Sequence, residues 1–453
     1  MSNTTTAPAG TNGGGAMAVV YSILNRIGMI AIQISTGILT ARVLQPQGKG
    51  ELAAIILWPL FLAKVTTLGI PSSLIYFIRN RGTSRTSLIV HGFAISVSFG
   101  CTAAGIGAFL LPHWLHRYSP SVIHSAQLVL LTLPLCSIML AGQASLEALG
   151  KFSASNASQI MVPAATLVAL LSFFFAHRLT PITAALCYVS SALPVAALIL
   201  FYLWRERTPG VRWNWSFSTC HMLFSYGFRA YGIDLLTSLS EQVDTVLVIG
   251  LLQPSAMGVY AVMLSLSRML NVFQLAVVMV LFPKAAGQKL DSIIELTESA
   301  VRISTMITAL CAAFLCIVGP ILIGIMYGHS YLSALSALRI LLVEATLSCA
   351  VAVMAQAFMA VGRPGVVTIL QGIGLALCIP MMLVLIPRYG VAGAAAALLF
   401  STTARFIFIY IGFRVFLRAR LPRLLPRLDD FRFVHSVVLS RLRRVPALPE
   451  VVQ

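Results

Sequence analysis

The sequence predicts an all-α membrane protein of about twelve transmembrane helices, arranged as two pseudo-symmetric six-helix lobes around a central cavity. Three observations predict it: the composition, the spacing of the apolar runs, and an internal repeat. Of 453 residues, 58% are hydrophobic and only 10% charged, against about 25% charged in ordinary soluble domains. Mean hydropathy is +0.91. A spanning helix needs about 20 mostly apolar residues. The polar stretches between such runs are too short to fold as a separate soluble domain.

Residues 1–16 are rich in Thr, Asn, Ala and Gly and lack a basic leader, so they read as a disordered N-terminal tail and not as a cleavable signal. Apolar runs then fall at 17–43, 50–79, 86–111, 121–149, 152–176 and 181–204, which make the N-lobe. A cytoplasmic inter-lobe loop is expected at 205–220. The C-lobe, 221–418, holds the runs 221–250, 256–283, 303–327, 331–361, 364–386 and 391–418. Pro59, Pro71, Pro134, Pro163, Gly374 and Pro380 lie inside these runs, where a membrane tolerates them as kinks. A basic cytoplasmic tail, 419–453, closes the chain. In it Asp429-Asp430 opens a helix with Phe431, Val434, Val438 and Leu442 on one side and Arg441, Arg443 and Arg444 at its end. That pattern suits anionic lipid, or plain topology control by positive charge.

The net charge of +18, from 31 Lys+Arg and 13 Asp+Glu, excludes little by itself. Its placement excludes nucleic acid, because the basic residues sit at helix ends and in the tail, without interleaved aromatics. Arg79, Arg81, Arg85, Lys151, Arg205, Arg207, Arg212, Lys284, Lys289 and Arg363 fall on one side. Arg42, Lys49, Arg117, Arg178 and Arg388 fall on the other. That bias, with the basic tail, places both termini in the cytoplasm of a bacterial inner membrane. The eight cysteines form no C-x-x-C pair and lie mostly in apolar runs, where Cys acts as a small hydrophobe. The eight histidines are scattered, with no i, i+4 ligand pair. No P-loop is present. No metal, no cofactor and no enzyme activity are expected.

The repeat is carried by Leu44-Gln45-Pro46-x-x-x-Gly50 and Leu252-Gln253-Pro254-x-x-x-Gly258, offset by 252 − 44 = 208. Leu149-Gly150-Lys151 faces Val361-Gly362-Arg363, and Arg178 with Ala184-Ala185 faces Arg388 with Ala394-Ala395, at nearly the same spacing. Six helices per repeat give parallel repeats about an axis normal to the membrane, with a substrate site near the midplane.

Charges inside the apolar runs are the candidate site, since an ionised side chain at the bilayer centre costs about 3 kcal/mol. In the first run Ser22, Asn25, Arg26, Gln33, Thr36 and Thr40 fall within an arc of about 100°. In the seventh, Asp234, Glu241 and Asp244 fall within about 80°. Adding 208 to Arg26, Gln33 and Thr36 gives those three acids. Lys64 and Arg268 lie in the second and eighth runs, and 268 − 208 = 60 is one turn from Lys64. Asn25, Arg26, Gln33, Lys64, Arg268 and Asn271 are therefore the candidate substrate contacts. Asp234, Glu241 and Asp244 are candidates for charge balance or ion coupling. Arg339, Glu344 and Arg405, each a lone charge on its helix, are further cavity candidates. The alternative for all of them is structural, as buried pairs or as side chains snorkelling to an interface; Arg229 is read that way.

Ala41-Arg42-Val43-Leu44-x-Pro46-x-Gly48-x-Gly50, then Leu68-Gly69 and Arg79, resembles the opening of the bacterial polysaccharide flippases of Wzx type. These belong to the multidrug/oligosaccharidyl-lipid/polysaccharide exporter superfamily. Asp244 to Gly250 running into Gly258-Val259-Tyr260-Ala261 is similar to that family's junction of helices 7 and 8. Gly319-Pro320, Tyr327-Gly328, Leu338-Arg339, Gly362-Arg363-Pro364 and Ile386-Pro387-Arg388-Tyr389-Gly390-x-x-Gly393-Ala394-Ala395 resemble its later helices. The likeness covers 17–418. It implies an alternating-access transporter that moves an undecaprenyl-pyrophosphate-linked glycan to the outer leaflet, with membrane lipids and a polysaccharide polymerase or export machinery as partners. Where the family reads Leu-Gly-Pro, this chain has Leu44-Gln45-Pro46. It also lacks the extra helix pair of lipid-II-type relatives. The rival within the superfamily is a cation-coupled drug antiporter, which would need a cavity dominated by acids. A polyprenyl-dependent glycosyltransferase or ligase would need a sizeable outer loop with catalytic acids, and a non-transporting assembly partner would need exposed loop surface.

Overall fold

The computed structural model describes residues 12–80, 84–206, 215–285 and 287–422, with the side chains of 12–27, 233, 276, 279–280 and 282–284 excepted. The expected surface helix after Asp429 and the charges of Arg81, Arg207, Arg212 and Lys284 lie outside what is described. No strand occurs among the described residues.

The first repeat is built from α1 (Asn12–Val65), α2 (Ile70–Asn80), α3 (Arg85–Trp114), α4 (Pro120–Leu130), α5 (Leu133–Ala148), α6 (Phe152–Phe175) and α7 (Pro181–Arg205). The second comprises α8 (Phe217–Leu251), α9 (Pro254–Arg268), α10 (Asn271–Ala285), α11 (Leu290–Met326), a 3-10 turn at His329–Ala334, α12 (Leu335–Ala360) and α13 (Pro364–Val415). Two of these helices are double. Gln45 breaks α1 with φ 59 and ψ 175, and Gly390 breaks α13 with φ 58 and ψ −132. Divided there, and with α4–α5, α9–α10 and the pair after Gln45 each taken as one crossing, the helices make six spans per repeat. They coincide with the twelve apolar runs.

By length and composition alone, seven of the described helices are able to cross a membrane, or eight counting the pair bent by 45° between Val65 and Ile70. The smaller number has a physical cause. α1 and α13 each hold two crossings in one helix, α9 and α10 are 15 residues each, and α8 carries Arg229, Asp234, Glu241 and Asp244. One expectation is corrected at the N-terminus: residues 12–16, read as disordered tail, belong to α1. Extending a helix already formed needs no new nucleus, so even Gly13-Gly14-Gly15 can be carried along.

The repeat is visible in the backbone. Pro46 and Pro254 each open a helix, where the missing N–H costs nothing. Gly150 and Gly362 end equivalent helices with φ +77 and +76. The next N–H of each turns back to the helix: Lys151 donates to the Leu146 carbonyl and Arg363 to that of Phe358, both at 2.8 Å. This left-handed cap suits glycine because it has no Cβ. Ala184, Ala185, Ala394 and Ala395 are all buried.

The chain divides into two compact units, 1–235 and 236–453. The division falls inside α8 and not in 205–220. The reason lies in what the first half of α8 touches. Leu223 joins the core of the first unit with Ile70, Leu74, Leu88, Val195 and Ile199. Tyr226 stacks on Tyr76 at 4.5 Å, and the Tyr231 hydroxyl donates to the Val65 carbonyl. Just before the helix, Trp215 stacks on His91, whose Nε2 accepts from the Ser216 N–H at 3.0 Å. In the second unit the core lies where α12 meets α10, α11 and α13, around Phe358, Met354, Val301, Ile409 and Phe413.

Candidate functional site

The second unit gathers its charges. Asp244, on α8, is 1% exposed. Its Oδ2 accepts from the Tyr260 hydroxyl at 2.8 Å and from Arg268 Nη2 at 3.1 Å, both on α9. Arg268 Nη2 also reaches the Glu241 carbonyl at 3.1 Å. α8 and α9 are joined by a turn of two residues, Leu252-Gln253, so the two helices fold back on each other and bring 244 beside 260 and 268. A carboxylate in such a place needs a cation and donors together, and it has both.

A second group lies on α12 and α13. Thr402, fully buried, donates to Glu344 Oε1 at 2.7 Å and accepts from Arg405 Nη2 at 2.8 Å. Arg405 Nε is buried without a partner among the described residues. Gly374 makes room for this arginine: a Cβ there would meet Arg405 Cδ at 2.5 Å. The Gly374 carbonyl accepts from Ser401 at 2.7 Å. Glu344 lies within electrostatic reach of Arg405, Arg268 and Asp244, which couples the two groups. Asp244, Glu344, Arg268 and Arg405 carry a formal charge of 2 − 2 = 0.

The other sequence candidates are distributed differently. Asp234 and Glu241 share a helix with Asp244 but not its burial. Both are exposed, and Asp234 accepts from Ser72 at 3.4 Å within the first unit. Asn271 is partly buried at the start of α10. Arg339 is exposed on α12 and lines a separate pocket. In the first unit Gln33 is exposed and Lys64 partly buried; the side chains of Asn25 and Arg26 lie outside the described residues. Thr36 and Thr40 return their hydroxyls to carbonyls one turn back, those of Ile32 and Thr36, and Lys49 donates to Thr40 at 2.7 Å. Among the described residues, no group of three or more His, Cys, Asp or Glu side chains is placed to hold a metal ion.

Sequence reasoning missed Tyr260 and Thr402. A signal existed for each. A tyrosine inside an apolar helix must find a partner for its hydroxyl, and Thr402 lies three residues from Arg405, on the same face of its helix.

Known proteins share both the sequence pattern and the fold. A family profile described as polysaccharide biosynthesis protein matches residues 39–336. No curated protein matches. Among solved structures, the lipid II flippase MurJ in an inward closed conformation is 12% identical, with 95% of this chain and 94% of that one covered and a TM-score of 0.75. An inward-facing multidrug resistance MATE family transporter of the MOP superfamily is 16% identical over 92% and 96%, with a TM-score of 0.68. A MOP superfamily transporter from Pyrococcus furiosus is 14% identical over 88% and 95%, with a TM-score of 0.55. At these identities the likeness establishes the fold, which is that of multi-pass membrane transporters and flippases. The profile covers well over half of the sequence, and the chain belongs to the polysaccharide biosynthesis protein family.

Proposed function

We propose that this protein is an alternating-access transporter carrying a polyprenyl-pyrophosphate-linked oligosaccharide to the outer leaflet, for biosynthesis or export of a cell-surface polysaccharide. Family membership supplies the polysaccharide chemistry. One observation supports an anionic cargo: Asp244 is buried, whereas the side chain of the Arg268 it holds is 42% exposed. A guanidinium steered by a buried carboxylate is pre-oriented, and its forked donors match phosphate oxygens. Arg268 is thus the principal anion contact, with Asn271 beside it and Arg26, Lys64, Asn25 and Gln33 serving the first repeat. Asp244, together with Asp234 and Glu241, balances these cations or takes up the coupling ion. The loop charges support an inner-membrane location with both termini in the cytoplasm. A charge-neutral cluster with two arginines also fits an anion better than the acid-dominated pocket that a cationic drug requires.

The test compares a clean deletion with Arg268→Ala and Arg268→Lys at matched protein level. The expected result is accumulation of lipid-linked oligosaccharide on the inner leaflet and loss of surface polymer in the deletion and in Arg268→Ala, with partial retention in Arg268→Lys. If lipid-linked glycans stay unchanged while sensitivity to cationic drugs rises, the antiporter reading replaces this one.

A further inference from the structure

A cavity of about 510 Å³ opens along α11 and α12 of the second unit, apart from the charge cluster. One wall is Val301, Thr305, Ala309, Ala312 and Cys316 of α11. The other is Arg339, Val343, Thr346, Leu347 and Ala350 of α12, with Phe406 of α13 closing one end. Small residues create the space: where Ala309 and Ala312 stand, a leucine would fill the groove. Its volume is in the range of about 300–1,000 Å³ typical of ligand pockets.

Three features define what fits. The first is length. Val301 to Cys316 runs about 22 Å and Arg339 to Ala350 about 16 Å at 1.5 Å per residue. One leaflet of hydrocarbon is about 15 Å deep, half of the 30 Å core. The second is the rim. Leu310, Phe314, Ile317 and Val343 flank the groove and are 60, 60, 77 and 58% exposed, as side chains facing lipid would be. The third is charge. Arg339 is the one charged residue lining the groove, none of the lining residues is acidic, and it sits four residues into α12, about one turn below the helix start. From there the long arginine side chain can carry its guanidinium toward the headgroup level while its stem stays in the apolar groove.

We propose that this groove holds one acyl chain of an anionic phospholipid, with the lipid phosphate on the Arg339 guanidinium. An acyl chain spans one leaflet, which is the length of the groove; a polyprenyl chain of many isoprene units overruns it. An anionic headgroup is preferred because no acid lines the groove to receive the ammonium of a zwitterionic one. The site differs from the proposed cargo site in position and chemistry. Arg339 positions a lipid here and takes no part in translocation chemistry.

The experiment measures lipid retained by the full chain in native mass spectrometry after purification with equimolar phosphatidylglycerol and phosphatidylethanolamine. The parent protein is expected to retain phosphatidylglycerol preferentially, by about fivefold, the contribution of one arginine near a lipid surface. Arg339→Gln is expected to abolish the preference, and Ala309→Phe, which fills the groove, to lower retention of both lipids. An unchanged preference in Arg339→Gln overturns the headgroup assignment, and unchanged retention in Ala309→Phe overturns the groove. Displacement of phosphatidylglycerol by equimolar polyprenyl phosphate overturns the choice of occupant. The readout is bound lipid, so it stands or falls independently of whether Arg268→Ala impairs glycan flipping.

Discussion

The tripeptide Leu-Gln-Pro occurs once in each repeat, and the backbone treats its glutamine in opposite ways: Gln45 has φ 59 and ψ 175, Gln253 φ −74 and ψ 159. In both, ψ is extended, as a residue before proline prefers. Only φ differs. At Gln253 any residue is comfortable, whereas Gln45 occupies a region that is almost reserved for glycine. Its side chain donates to the Arg42 carbonyl at 3.0 Å, a local bond that holds the break in place. The charges show the same kind of divergence on a shared frame. With the offset of 208, the equivalents of Asp244, Tyr260 and Arg268 are Thr36, Leu52 and Leu60; with the offset of 210 given by Arg178 and Arg388, Arg405 corresponds to Val195. Leu52 and Val195 are buried apolar residues where the second repeat has a buried phenol and a partly buried arginine. Duplication has kept the caps and the prolines, which the backbone needs. The side chains that face one another across helices were free to differ.

Three measurements would break or sharpen that comparison, each by thermal unfolding of the detergent-purified protein. The largest expected effect is that of Asp244→Ala, which leaves the Tyr260 hydroxyl without its acceptor and Arg268 without its carboxylate partner, though still bonded to the Glu241 carbonyl. Removing one member of a buried pair costs about 3–5 kcal/mol; the partial exposure of Arg268 reduces this to about 2–4 kcal/mol. Its counterpart Thr36→Ala, whose hydroxyl only returns to its own helix, should cost less than about 1 kcal/mol. Equal losses would mean that the second repeat does not carry a special polar network.

Next come the two helix caps. Gly150→Ala and Gly362→Ala each force a Cβ into left-handed backbone, at about 1–2 kcal/mol. Because φ and the capping hydrogen bonds match in the two repeats, the two losses should agree closely. A large loss at one position and none at the other would show that the shared cap has different importance in the two units. The smallest effect is expected at the glutamines. Gln45→Gly should raise stability by about 1 kcal/mol through relief of backbone strain, whereas Gln253→Gly should lower it by a few tenths because the unfolded chain gains freedom. A loss at both positions would show that the hydrogen bond from Gln45 to Arg42 outweighs the strain.

Much of this architecture was legible from residues alone. Twelve apolar runs became twelve spans because a bilayer leaves the backbone no alternative to helix. The repeat was legible because Pro, Gly and Ala were kept where the backbone demands them. The candidate site was legible only in part. Helical periodicity placed Asp234, Glu241 and Asp244 on one face, yet only Asp244 is buried: Asp234 belongs to the part of α8 that packs with the first unit, and Glu241, in the second unit with Asp244, keeps its side chain exposed while its carbonyl accepts from Arg268. Glu344 looked isolated because its partner Thr402 comes from another helix, far away in sequence, and Arg405 because its partner, the same Thr402 on its own helix, carries no charge to attract notice.

The amino-acid sequence by itself thus determined the membrane class, the number and order of the helices, the duplicated frame and the family. Each of these follows from one-dimensional signals: hydrophobic length, charge density, and residues with special backbone preferences. Tertiary structure alone decided where α8 changes allegiance, that Tyr260 and Thr402 complete the charge cluster, that Gly374 makes space for Arg405, and that Arg339 stands apart beside an apolar groove. Those outcomes depend on which helix lies against which, and side chains brought together across helices leave no periodic trace along the chain.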